Sequence, residues 1–304
     1  MHDECEVIIP TFYPGEVIIN LLNSIPKDYK IKIIDNGFDD ELKKIILKSN
    51  LDIDHIELGD VGLGKSFNYA LSNIKTKYAF ITQPDVTLAK DCIKNLVKIA
   101  NEFSNAAIIS PLYFDNGIYS KFDFYDLKIS KLKKIISNKK NKNLINSMPQ
   151  GNICVEAINS TAILINVEKI KSVNGWDENF YTYLEDMDLC LRLRLRGFEI
   201  IKTPFASIDH KGFLSHRLEN REIRNISRIW NFTWSSLYFT KKHRSKLFFF
   251  IYYWKLIIKL LIKIFINFLF LNKKKIKIYQ VRLSACISFF SKKNFSQSKY
   301  KKLL

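Results

Sequence analysis

Apolar runs four or five residues long recur through the first half of the chain, each followed by a stretch with helical spacing. Glu6-Val7-Ile8-Ile9 stops at Pro10, and residues 16–25 then read as a helix. Ile31-Lys32-Ile33-Ile34 stops at the turn signal Asp35-Asn36-Gly37, with a helix expected over 39–48. A strand over 53–58, a helix over 65–74, the strand Tyr78-Ala79-Phe80-Ile81-Thr82, a helix over 88–103 and the strand Ala107-Ile108-Ile109 continue the alternation. Repeated βαβ units of this spacing predict a mainly parallel sheet with helices on both faces. Ligands of such sheets bind at the carboxyl ends of the strands. That directs attention to the polar residues just past them: Thr11, Asp35, Asp60 and Asp85.

From about residue 115 to 150 the pattern breaks into a stretch rich in Lys, Asn, Phe and Tyr, read as an insertion carrying a short helix. A long strand is expected over 153–165, ending in Ala162-Ile163-Leu164-Ile165. A helix then begins near Glu185, and a strand covers 198–202.

The last third differs in kind. Residues 247–271 are nearly all apolar or aromatic, long enough to span a bilayer, yet Lys255, Lys259, Lys263 and Asn267 recur every four residues. On a helix they form one polar stripe. Each central Lys costs roughly 2.5–3.5 kcal/mol to insert, against roughly 0.3–0.6 gained per Leu, Ile or Phe. The preferred reading is a helix lying in the membrane interface, ahead of a true span or a soluble basic helix packed on the domain. Charge agrees: residues 1–210 carry 26 Lys/Arg and 28 Asp/Glu, whereas residues 211–304 carry 22 and 2. All the excess positive charge therefore sits in this region and suits an anionic partner, a membrane surface or a nucleic acid. The five cysteines are scattered without a Cys-x-x-Cys pair and read as reduced, mostly buried thiols. The acidic N-terminus lacks an apolar run of signal type, so a cytosolic catalytic side is expected.

Chemistry concentrates in Asn174-Gly175-Trp176-Asp177-Glu178-Asn179-Phe180 and Tyr183-Leu184-Glu185-Asp186-Met187-Asp188-Leu189-Cys190-Leu191-Arg192. Carboxylates set among aromatic rings are desolvated, which raises their basicity toward that of a general base. Helix-dipole stabilisation of the first-turn acids and an Asp188–Arg192 i,i+4 pair are the plainer explanation. Gly59-Asp60-Val61-Gly62-Leu63-Gly64-Lys65-Ser66 matches the P-loop pattern, which taken alone proposes an NTPase. It follows two complete βα units, however, and leaves the acidic cluster unexplained. Gln83-Pro84-Asp85 closes a strand, where Asp85 could hold a hard divalent cation against a diphosphate or cap a helix starting near Leu88. His210 lies just past a strand end, where metal ligation stays open.

Together these pieces resemble the family 2 glycosyltransferases, inverting enzymes of GT-A fold, and within them bacterial rhamnosyltransferase-like members. The resemblance rests on Val7-Ile8-Ile9-Pro10-Thr11, Ile34-Asp35-Asn36-Gly37, Gly62-Leu63-Gly64-Lys65-Ser66-Phe67-Asn68, Phe80-Ile81-Thr82-Gln83-Pro84-Asp85, the 174–192 run and His210, in the family's order over roughly residues 5–215. It implies a Rossmann-like mixed sheet with helices on both faces, followed by a C-terminal helical, membrane-associating region. It also implies a nucleotide site drawn from Pro10, Thr11, Asp35, Asn36, Gly62, Lys65, Asn68, Gln83 and Asp85. Within that site Asp35 accepts a pyrimidine N3–H, and Lys65 and Asn68 lie near the ribose or diphosphate. Asp85 would ligate Mg²⁺ or Mn²⁺, with His210 as a further metal or diphosphate contact. Asp186 would be the catalytic base, and Trp176, Asp177 and Glu185 would shape the acceptor pocket. Gln83 stands where the family often has the first acid of an Asp-x-Asp motif, leaving Asp85 as the acid of that pair.

The resulting expectation is a transferase domain over 1–240 and a basic helical region over 241–304. The enzyme would move a sugar from a UDP- or dTDP-sugar, dTDP-rhamnose among them, to a hydroxyl of a glycan or lipid-linked acceptor. Its setting would be surface polysaccharide or lipopolysaccharide biosynthesis, on the cytoplasmic side and peripheral at the inner face of the cytoplasmic membrane. No nucleic-acid partner is expected. The alternatives are a P-loop NTPase and a non-enzymatic basic binding protein.

Overall fold

The structure is a computed structural model that describes residues 4–120, 124–125, 148–210 and 221–290. The short helix expected within the insertion falls outside these residues. The chain forms two compact units: Met1–Val61, Lys65–Asp177 and Asp186–Arg217 make the first, and Gly62–Gly64, Glu178–Glu185 and Leu218–Leu304 the second.

The first unit is built on a sheet. Strand β1 (Cys5–Thr11) pairs in parallel with β2 (Ile31–Asp35) on one side and β4 (Tyr78–Thr82) on the other, and β2 pairs in parallel with β3 (Ile53–Glu57). Helices α1 (Val17–Ser24), α2 (Asp40–Lys48) and α3 (Leu63–Ser72) make the crossovers. In α1 the spacing of Ile18, Leu21 and Leu22 supplies the buried stripe. In α2 the side chain of Asp39 caps the helix by accepting from the Glu41 N–H. Every residue of β1 and β4 is buried, as strands covered on both faces should be.

Beyond β4 the sheet becomes mixed, as the resemblance implied: the next neighbour is β11 (Ala162–Asn166), antiparallel to β4 and to β6 (Ala106–Asp115), and β12 (Glu199–His210) then pairs in parallel with β6. The connection after β6 is long enough for the chain to return from the opposite end, so direction is not restricted to a right-handed crossover. Three differences concern local signals. The long strand expected over 153–165 is three pieces, β9 (Ile153–Cys154), β10 (Ala157–Ile158) and β11. The strand expected over 198–202 runs on to His210, which is its last residue rather than lying past it. The helix expected from Leu88 begins at Cys92 as α4 (Cys92–Glu102), because Val86–Leu88 is a short strand, β5, paired antiparallel with Ile208–His210. Asp85 therefore caps no helix. A short apolar triplet before a helix carries no periodicity to separate the two states.

Two short strands, β7 (Ile118–Tyr119) and β8 (Phe124–Tyr125), enter the insertion, and β8 pairs with β10. Helices α5 (Val167–Ser172) and α6 (Glu185–Leu195) follow β11. Four of the cysteines are buried and Cys154 is exposed, all as free thiols.

The second unit carries α7 (Arg221–His243), α8 (Lys246–Leu269) and α9 (Lys273–Phe290). Ile226, Trp230, Trp234 and Leu237 of α7 meet Tyr253 and Leu260 of α8 and Ala285, Cys286 and Phe289 of α9 in a small core. Among the described residues no helix is long and apolar enough to cross a membrane, which removes the spanning alternative for 247–271.

Candidate active site

The ends of β1, β2 and β3 coincide, with Thr11 opposite Asp35 and Asp35 opposite Glu57. Asp35 is fully buried: its Oδ1 accepts from the Gly37 N–H at 2.7 Å and its Oδ2 from the Asp39 N–H at 2.8 Å. Each oxygen keeps a second lone pair for a ligand donor. Thr11 donates its hydroxyl to the Ile34 carbonyl. Asn36 donates its amide to the Thr11 carbonyl at 3.1 Å and accepts from the Ser66 hydroxyl at 2.6 Å, tying the start of α3 to the ends of β1 and β2. That bond also answers the P-loop alternative. A P-loop serine offers its hydroxyl to a metal ion, whereas Ser66 is fully buried and spends its proton on Asn36. Pro10 is buried in β1, and Lys65 is exposed on α3. Gly62 holds a left-handed φ of 85°, and a Cβ there would meet the Tyr181 carbonyl at 2.7 Å.

Two residues beside Asp35 escaped the sequence reading. His55 on β3 places Nε2 3.6 Å from Asp35 Oδ2, and that nitrogen is buried without a hydrogen bond. The register Ile33 opposite His55 puts it on the same sheet face as Asp35, so two-residue periodicity could have found it. Tyr13 packs its ring where a Cβ on Gly37 would lie 2.9 Å away. Burial, then the charges of Asp35, Asp39 and Asp60, push the Tyr13 hydroxyl above its usual range.

At the end of β4, the Gln83 N–H donates to the Thr161 carbonyl at 2.9 Å, and Asp85 follows, buried. Pairing of β5 with the end of β12 sets His210 opposite Val86, so His210 Nε2 stands 3.4 Å from Asp85 Oδ1. That oxygen is buried and accepts no hydrogen bond. An unmet carboxylate oxygen beside an imidazole suits a divalent cation. Among the described residues no cluster of three or more His, Cys, Asp or Glu side chains surrounds one. The fit is therefore to Mg²⁺ or Mn²⁺ shared with a diphosphate, which takes one or two protein ligands and substrate oxygens.

Thr161 lies on the loop Asn159-Ser160-Thr161 entering β11, also unremarked in the sequence. Its neighbour Ser160 donates its N–H to Asp186 Oδ2 at 3.3 Å, and the Met187 N–H donates to Asp186 Oδ1 at 2.8 Å. One short loop thus links the β4 end to the candidate base. Burial pushes the Asp186 carboxyl up to about 6, against the lowering effect of these amides.

The acids of α6 have separate fates. Asp188, fully buried, accepts from Arg192 Nε at 2.7 Å, and Arg192 also donates to the carbonyls of Val173 and Gly175. Arg192→Met should destabilise the fold by about 3–5 kcal/mol, read from urea unfolding, since it strips the guanidinium from a buried carboxylate. A change under about 1 kcal/mol would mean the pair is incidental. Glu185, 4% exposed, groups with the second unit.

Asn68, expected near the ribose or diphosphate, is held on the Trp176 backbone, donating to its carbonyl at 2.8 Å and accepting from its N–H at 2.9 Å. This arrangement needs Gly175, where φ is 61° and a Cβ would fall 2.3 Å from Asn68 Oδ1. The Trp176 indole is 1% exposed and packs on Phe67 with centroids 4.8 Å apart.

The chain is 26% identical over 230 residues to the rhamnosyltransferase WbbL of Escherichia coli (strain K12), covering 66% of this chain and 87% of that protein. It is 22% identical over 208 residues to the low-salt glycan biosynthesis hexosyltransferase Agl10 of Haloferax volcanii, covering 66% of this chain and 64% of that one. Among solved structures it resembles GalNAc-T7, crystallised with UDP, GalNAc and Mn²⁺, at a TM-score of 0.54 and 14% identity, over 68% of this chain and 43% of that one. These neighbours share the GT-A fold. The profile described as "Glycosyl transferase family 2" matches residues 6–160, which take in the nucleotide-side strands, the Asp85 turn and the Ser160 loop; the chain is a glycosyltransferase of that family.

Proposed function

We propose that the protein is an inverting glycosyltransferase taking its sugar from a pyrimidine nucleoside diphosphate donor, a UDP- or dTDP-sugar with dTDP-rhamnose among them. The acceptor is a hydroxyl of a glycan or lipid-linked glycan in bacterial surface polysaccharide or lipopolysaccharide biosynthesis. The observation that carries this reading is the desolvated carboxyl of Asp186, joined through Ser160 and Thr161 to the strand end that bears Gln83 and Asp85.

Asp35 and Thr11 face the base, and Lys65 the diphosphate. Asn36 and Asn68 are further contacts to the nucleotide, Asn36 held by Thr11 and Ser66 and Asn68 by the Trp176 backbone. Asp186 takes the proton of the acceptor hydroxyl as its oxygen attacks the anomeric carbon on the side away from the diphosphate, so configuration inverts. Asp85 and His210 would hold a Mg²⁺ or Mn²⁺ ion, which when bound offsets charge on the departing diphosphate. Residues 1–240 would form the transferase domain and 241–304 a region that brings the enzyme to an anionic membrane surface on its cytoplasmic side.

The test is release of nucleoside diphosphate across a panel of sugar nucleotides with Mn²⁺ or Mg²⁺. Turnover of UDP- or dTDP-sugars, with inverted products when acceptor is supplied, is the expected result. ATP hydrolysis that depends on Lys65, with all sugar nucleotides inert, would overturn it.

A further inference from the structure

The apolar surface of α8 is divided in two. Tyr253, Leu256 and Leu260 turn toward α7 and α9, where Tyr253 and Leu260 are buried. Phe250, Trp254, Ile258, Leu261, Ile262 and Phe265 remain 48–62% exposed. At about 100° per residue these six fall within a strip about 120° wide. Lys255, Lys259 and Lys263 follow within the next sector of about 80°, between the exposed strip and the packed face. Lys263 lies over the Tyr279 ring at 5.1 Å, whereas Lys255 and Lys259 are exposed. A contiguous exposed strip of this size on one helix calls for a covering surface.

We propose that this strip docks α8 flat onto an anionic lipid bilayer, its rings and branched chains in the acyl boundary and Lys255 and Lys259 on the headgroup phosphates. Charge selects the occupant. Residues 223–304 hold 19 Lys and Arg and no Asp or Glu. A second copy of the same face would set Lys255 and Lys259 against like charges with no carboxylate on the helix to answer them, while an anionic surface answers both. The proposal deepens the reading of an enzyme with a membrane-held acceptor and rests on it for the choice of bilayer. Its test reads binding separately from transfer.

Trp254 is the reporter, because Trp176, Trp230 and Trp234 are 1%, 4% and 7% exposed. The full chain is mixed with vesicles of phosphatidylcholine alone or with about one-third phosphatidylglycerol. With the anionic vesicles we expect flotation, a blue shift of Trp254 emission and quenching by brominated acyl chains. Trp254→Phe should lose the shift and still float. Lys255→Gln with Lys259→Gln should weaken partitioning about thirtyfold, each Lys counting for about fivefold. Phe250→Ser with Ile258→Ser should also release the protein, circular dichroism confirming that the helices remain. Transfer to a soluble acceptor should be unchanged in all three variants. Failure of transfer by the wild type with flotation intact would sink the enzymatic reading and leave the docking one. Three results would overturn the docking. They are equal flotation with both vesicles, binding untouched by these substitutions, and a Trp254 shift that grows with protein concentration without lipid, which would assign the strip to a second copy.

Discussion

Asp186→Asn lowers sugar transfer by about 10²–10⁴-fold, the range for loss of a positioned general base, while donor affinity stays near wild type. The same change raises stability at neutral pH. The carboxyl titrates near 6 in the folded protein against 3.8 for an unperturbed group. Between those values the folded state binds more protons than the unfolded one, so stability falls as pH rises through the window. The ionised, desolvated carboxylate therefore costs on the order of 3 kcal/mol above pH 6, and the amide removes that cost. Wild-type activity should rise with pH through about 6 as the base ionises. Steady-state rates, a pH profile and urea unfolding at pH 7.5 test all three. Full activity in the variant would remove Asp186 from the chemistry, and lower stability at pH 7.5 would show that its hydrogen bonds outweigh desolvation.

Asp85→Ala abolishes the metal-dependent part of donor binding. Removing even an outer partner of a metal ligand typically costs 10–100-fold in affinity, so loss of the carboxylate itself should weaken the donor by at least about that factor. Calorimetry of a nucleoside diphosphate with and without Mn²⁺ should give equal, weak affinities in the variant and a large difference in the wild type. His210→Ala should fall between. Unchanged Mn²⁺ dependence in Asp85→Ala would refute the site formed by the β5–β12 pairing.

The nucleotide half of the fold was legible because it is local. Each strand of β1 to β4 ends in its own turn signal, and each crossover helix carries its own periodicity. Asp35, Asp85 and Asp186 stood out by position, at strand ends or in a helix's first turn. What stayed hidden depends on pairing between distant segments. The helix expected at Leu88 fails because β12 recruits Val86–Leu88 as a strand, and that same pairing brings His210 to Asp85. The bonds between the Asn68 amide and the Trp176 backbone were hidden because 108 residues separate the two along the chain. The lysine stripe of α8 was visible, but the division of the apolar positions into a packed face and an exposed one depends on α7 and α9.

The antiparallel strand β11 has a consequence for the order in which the molecule takes shape. It sets Ala162 opposite Thr82, about 80 residues apart along the chain, and its leading loop supplies the amide that seats Asp186. Pairings of that separation must overcome more chain entropy before contact rewards them, and they form late. The strands that present Asp35 and Thr11 can close from neighbouring βαβ units as soon as they exist. Asp186 acquires its seat only when a distant strand arrives, so in the proposed reading the acceptor side of the site is completed after the strand ends of the donor side.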